Sequence, residues 1–175
     1  MPRRPLRLLT LVALAGALSG AGCGSDDSDS AGAEEPGETA AQARATLEDT
    51  SVKPVIEKPS GSPPRRLVKE NIVRGKGRAA KPGDRITVHY VGVAFSTGEE
   101  FDASWNTGRP FSFRLGAGEV IPGWDKGIVG MKQGGRRKLT IPPEQAYGAE
   151  GAPPDIAPNE TLVFVVDLVK ISPRS

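Results

Sequence analysis

A single cysteine and a single histidine are the scarcest reactive side chains in this 175-residue sequence, and that scarcity removes whole classes of function. One thiol cannot close an internal disulfide, and Cys23 with His89 cannot supply the ligand set of a Cys/His metal centre. A Cys/His-bound metal is therefore not expected, and the sequence is read as needing no metal or cofactor. An excess of one charge is missing as well: Lys+Arg 23 against Asp+Glu 21 leaves a formal net charge of +2, which gives no reason to expect a nucleic-acid partner. No apolar run reaches the ~20 residues that a membrane-spanning helix needs. Aromatic residues make up only 5% of the chain, so a place where several gather is informative. The length suits one modest domain with extensions rather than two full cores.

Charge divides the chain. Residues 23–61 hold nine acids against three bases, and residues 62–175 hold seventeen bases against twelve acids, so a boundary is expected near residue 60. Ahead of it, residues 1–22 read as a leader: Arg3, Arg4 and Arg7, then an apolar stretch from Leu6 to Leu18, then small residues before Cys23. This resembles a bacterial lipoprotein signal with Cys23 as the lipidation site, although Gly20 stands where such signals usually carry leucine. The alternative is cleavage after Ala15-Gly16-Ala17, which leaves a soluble secreted or periplasmic protein. Residues 23–61 are rich in Ser, Asp, Glu, Ala, Gly and Pro, with too few large apolar side chains to offset ordering entropy, and read as a disordered acidic tether. Glu38 to Leu47 has the propensity for a transient helix, but Leu47 is its one large apolar anchor, so a monomer is expected rather than a dimer built on that arm.

The folded domain is expected over residues 62–175. Alternating or apolar runs predict strands at RLVKENIV from Arg66, at Arg85–Phe95, Phe101–Ser104, Phe111–Leu115, Arg136–Ile141 and Thr161–Ile171. On the second of these, Ile86, Val88 and Tyr90 share one face, and Thr87, His89 and Val91 the other. Between the fourth and fifth strands, Ile121, Trp124, Ile128 and Met131 recur at steps of three and four, the spacing of one helical face. Pro122 suits its first turn and Gly130 its end. A helix of about nine residues is too short to stand alone in water, so a twisted antiparallel sheet must wrap it. Gly75 and Gly77 lack the third glycine or the Lys-Ser/Thr pair of a phosphate loop. His89, with no partner for catalysis, reads as structural. The Asn159-Glu160-Thr161 sequon reads as coincidental.

The runs EVIPGW, GMKQGGRRKLTIP and AYG closely resemble motifs of FKBP-type peptidyl-prolyl cis-trans isomerases, from about Arg85 to Ile171. The resemblance implies an α+β fold, with a twisted antiparallel sheet of five to six strands around one short central helix. It implies rotation of X-Pro bonds in a dry aromatic pocket with no covalent intermediate. Trp124 would lie under the proline ring; Tyr90, Phe101, Phe111, Val120, Ile121 and Phe164 would wall the pocket, Asp102 would sit at its rim, and Ile156 would close its flap side. The catalytic set would be Tyr90, Asp102, the Ile121 backbone N–H and the Tyr147 hydroxyl, with Asp102 bonded to Tyr90. Partners would be proline-containing unfolded or exported polypeptides, with macrolide inhibitors in the same pocket and the membrane reached through the lipid anchor. Phe113 is expected in the core. Two departures stand out: Thr107 occupies the position where the family commonly has an arginine to pair with Asp102, and Ala152 that of a common flap histidine. The same fold without turnover, as a proline-binding or chaperone module at the cell envelope, is the alternative; a purely structural or adhesive lipoprotein would need no such pocket.

Overall fold

The computed structural model describes residues 36–172. The leader and Cys23 lie outside the described residues, as does the first part of the expected tether. The elements are α1 (Pro36–Glu48), β1 (Val68–Val73), β2 (Arg85–Ala94), β3 (Glu100–Ala103), β4 (Phe111–Arg114), α2 (Pro122–Gly127), β5 (Arg136–Ile141) and β6 (Leu162–Ser172). All six strands join one antiparallel sheet in the order β1-β5-β6-β2-β3, with β4 also paired to β2. Strands β4 and β3 lie end to end on one edge of β2, pairing with Arg85–Val88 and Val91–Val93 respectively.

Period-two alternation gives the sheet two apolar faces. Ile86 and Val88 join Phe113, Leu115, Trp124, Ile128, Met131, Leu139 and Phe164 in the main core, which the sheet closes around α2. Val91, Val93, Ala103 and Val163 form a smaller cluster, packed by Ile56, Phe95 and Trp105. His89 stacks on Trp105 at 4.5 Å, and its Nδ1 lies 2.9 Å from the Ser104 hydroxyl.

Helix α2 is shorter than its apolar spacing suggests. Ile128 is its C-cap, and the carbonyls of Gly127 and Val129 accept from Arg137 Nη1 at 2.7 and 3.2 Å instead of continuing the helical ladder. The helix sits hard against β5 because Gly123 and Gly127 face that strand. A Cβ on Gly123 would lie 2.3 Å from Ile141 Cγ2, and one on Gly127 2.8 Å from Leu139 Cδ1.

The tether reading needs correction over residues 36–61. Helix α1 is formed there, and Ala43 is buried. The wholly buried Arg136 donates from Nη1 to the carbonyls of Thr46 and Leu47 at 2.5 and 3.2 Å, and from Nη2 to Val52 O at 2.9 Å. The last-turn carbonyls of a helix need such donors, and a cation there also suits the helix dipole. Nε and Nη2 reach the two Asp167 oxygens at 2.5 and 2.8 Å, so every N–H-bearing nitrogen of the guanidinium is engaged. Further along, Lys53 Nζ donates to Glu100 and Asn106 at 2.9 and 2.7 Å.

Candidate functional site

Trp124 lies at the start of α2 and is only 4% exposed, so its ring forms the floor of a depression rather than a surface patch. Tyr90 from β2 meets it edge-on at 5.0 Å and 79°, and Phe164 from β6 at 5.2 Å and 86°. Phe111 approaches at 6.4 Å, and Phe101 meets Phe164 at 5.5 Å and 90°. Edge-to-face packing of this kind fixes each ring by its neighbours. The resulting cavity, of about 210 Å³, is lined by Tyr90, Phe101, Asp102, Phe111, Glu119, Val120, Ile121, Trp124, Tyr147 and Phe164. Gly92 makes room for two of these rings: a Cβ there would sit 2.6 Å from Phe164 and 2.8 Å from Phe101.

Polar groups in the cavity are few and confined to its edge. The Tyr90 hydroxyl donates to Asp102 Oδ2 at 2.5 Å. Burial, and then the hydrogen bond and charge of Asp102, push the Tyr90 phenol well above its ordinary range, so it stays protonated as a donor. Asp102 makes no ion pair among the described residues, and Thr107 instead donates to Ser104 O at 3.2 Å. Ser104 in turn accepts from the Tyr90 backbone N–H at 2.9 Å, tying the β3 end to β2 beside the pocket. The Tyr147 side chain is half in solvent at the mouth. The Trp124 indole N–H is buried and has no hydrogen-bond partner among the described residues.

Nine of the ten catalytic and substrate-binding positions read from the sequence come together on this one cavity. Ile156 does not. The flap folds back through paired backbone bonds between Ala152 and Ile156 at 2.9 and 3.0 Å, and the Ile156 side chain is buried in the main core. It lines instead a neighbouring groove of about 790 Å³, which shares Phe101 with the cavity. Phe113 lies under the site, buried and 5.7 Å from Trp124. Two residues escape sequence reasoning. Glu119 lines the cavity and accepts from the Arg114 N–H at 2.9 Å. Asp125, in the first turn of α2, accepts from the N–H groups of Gly116 and Gly118 at 2.8 and 2.9 Å, which orders the loop that delivers Val120 and Ile121. Glycines just before an acid-bearing first helical turn were the available signal for that clasp.

A family profile described as FKBP-type peptidyl-prolyl cis-trans isomerase matches residues 76–169. The chain is 58% identical over 120 residues to an FK506-binding protein of Streptomyces anulatus, a match covering 68% of this chain and 97% of that protein. It is 53% identical over 117 residues to a probable FK506-binding protein of Corynebacterium glutamicum, covering 67% of this chain and 97% of the relative. Among solved structures it is similar to the crystal structure of AtFKBP13, with a TM-score of 0.57 and 41% identity over 61% of this chain and 93% of that one.

Proposed function

Because the chain belongs to the FKBP-type peptidyl-prolyl cis-trans isomerase family, we propose that it accelerates rotation about X-Pro bonds, and that its clients are exported polypeptides met at the membrane surface. The observation that carries the reading is the cavity over Trp124, walled by aromatic rings, with its polar groups held at the rim.

The chemistry needs no nucleophile. Amide resonance sets the ~18–20 kcal/mol barrier to C–N rotation. A planar prolyl amide is charge-separated and well solvated, whereas the twisted form has lost that polarity. Moving the bond into a dry pocket therefore penalises the ground state more than the transition state. The proline ring rests on Trp124, with Phe164 and Phe101 beside it. The Ile121 N–H and the Tyr147 hydroxyl hold the flanking carbonyls, so that rotation occurs in a fixed frame. Asp102 fixes the Tyr90 ring through its hydroxyl. FK506, which the names of the relatives mention, belongs in the same cavity as a competitor of substrate.

Export and anchoring rest on the leader and on Cys23 at its end, with the chain acting as a lipidated monomer. The test of turnover is refolding of a protein whose slow phase is limited by prolyl isomerisation. A few per cent of this chain shortens that phase several-fold, and FK506 abolishes the effect. An unchanged slow phase at micromolar protein withdraws the isomerase in favour of a binding module. Anchoring is tested separately: Cys23→Ser moves the protein out of the membrane fraction, and retention of the variant there ends the lipoprotein reading.

A further inference from the structure

Strand β5 carries two adjacent buried arginines, and alternation sends them to opposite faces of the sheet. They differ in how their charge is met. Arg136 has Asp167 as a bidentate partner and no nitrogen left over. Arg137 is 7% exposed and has no carboxylate partner among the described residues. Its Nε donates to Asn71 Oδ1 at 2.8 Å, and its Nη1 to the carbonyls of Gly127 and Val129. Its Nη2, with two N–H groups, meets no acceptor among the described residues.

Arg137 lines a cavity of about 330 Å³ together with Asn71, Arg74, Gly75, Gly130 and Lys132. No Asp or Glu lines it, and neither Arg74 nor Lys132 forms an ion pair among the described residues. Three basic residues thus line one concave space, and the one that is mostly buried keeps an Nη2 that solvent, and so an anion, can reach. Burial also lowers the Arg137 pKa, although a guanidinium keeps its proton at any ordinary pH. We propose that this cavity is an oxyanion site that takes a phosphate group against Arg137 Nη2, with Arg74 and Lys132 closing over it. Guanidinium N–H pairs match phosphate oxygens in geometry as well as charge. Asn71 gives its Oδ1 to Arg137, which leaves its amide donors for the same anion. The space would otherwise hold several waters at ~30 Å³ each. The site lies beyond the C-terminal end of α2, whereas the aromatic cavity lies at its N-terminal end, so the two are separate and the inference does not rest on isomerase activity.

The phosphate could be free or part of a lipid headgroup, and two arms distinguish them. In the first, thermal unfolding of the full chain is followed against inorganic phosphate, with chloride holding ionic strength constant. At about ten times Kd, Tm rises by roughly 3–8 °C for a domain of this size. In the second, the full chain is sedimented with phosphatidylglycerol or phosphatidylcholine vesicles. Arg74→Glu/Lys132→Glu, at exposed positions, is expected to fold, to keep its kcat/KM, and to lose the response in whichever arm the wild type shows one. Arg109→Glu/Arg114→Glu, the same charge change outside the cavity lining, keeps it. A phosphate response restricted to chains with Arg74 and Lys132 supports a free oxyanion, and phosphatidylglycerol retention with the same restriction supports a headgroup. A wild type indifferent in both arms, or an Arg74→Glu/Lys132→Glu variant that responds like wild type, overturns the proposal.

Discussion

Asp102 accepts the Tyr90 hydroxyl at 2.5 Å and has no ion-pair partner among the described residues, so its work at the rim passes through that single bond. Replacing it with valine frees the Tyr90 ring at the pocket edge while leaving the core intact. We expect Asp102→Val to lower kcat/KM by roughly ten- to a hundredfold, a loss of about 1.4–2.8 kcal/mol, in a domain that still unfolds at nearly the wild-type urea concentration. Unchanged turnover in a peptide assay would remove Asp102 from the mechanism. Tyr90 also predicts a pH effect. Its raised phenol pKa means that the folded state holds a proton the unfolded chain releases near pH ~10. The stability it contributes is therefore fully present below that pH and declines as pH rises toward the folded-state value. Urea titrations from pH 8 to 11 should show wild type losing stability relative to Tyr90→Phe, and parallel curves would contradict the assignment. Most of these residues were legible because apolar and aromatic side chains stand out on short strands. Glu119 and Asp125 were not, since their work is to accept backbone N–H groups, and hydropathy carries no trace of that.

At the scale of elements, α2 depends on its two sheet-facing glycines more than on its apolar stripe. Gly123→Ala places a Cβ at 2.3 Å from Ile141, and either the helix lifts or the strand shifts. Overpacking of this kind is expected to lower stability by about 1–3 kcal/mol in chemical denaturation, and the tilt it forces on Trp124 lowers affinity for proline ligands as well. A variant as stable as wild type would mean that the contact is softer than its geometry. The strands fell close to their expected bounds because alternation is visible wherever one face is buried, and β5 spans the very residues that its pattern marks. The helix end was less visible. The apolar spacing runs on to Met131, but the ladder stops at Gly127 because Arg137 competes for its carbonyls, a tertiary effect that local periodicity cannot register.

For the molecule as a whole, the folded unit extends well upstream of the charge boundary. Composition made residues 36–61 look like solvated chain, yet their attachment uses main-chain carbonyls on Arg136 and a few scattered apolar side chains such as Ala43 and Ile56, too sparse to form a pattern in the sequence. Arg136→Met would leave Asp167 buried without its partner and three carbonyls without their donor, and should cost about 3–5 kcal/mol. Limited proteolysis of wild type should give a core beginning near residue 41, whereas a core beginning after residue 60 would restore the tether. The central claim is that an aromatic cavity over Trp124 turns over prolyl bonds, and exchange spectroscopy on a short Leu-Pro-Phe peptide tests it without a coupled protease. Uncatalysed exchange takes tens to hundreds of seconds. With the protein at about one hundredth of the peptide concentration, cis and trans resonances should exchange within about a second, and Asp102→Val should return most of the delay. Peptide resonances that shift on binding while exchange stays at the uncatalysed rate would contradict the account.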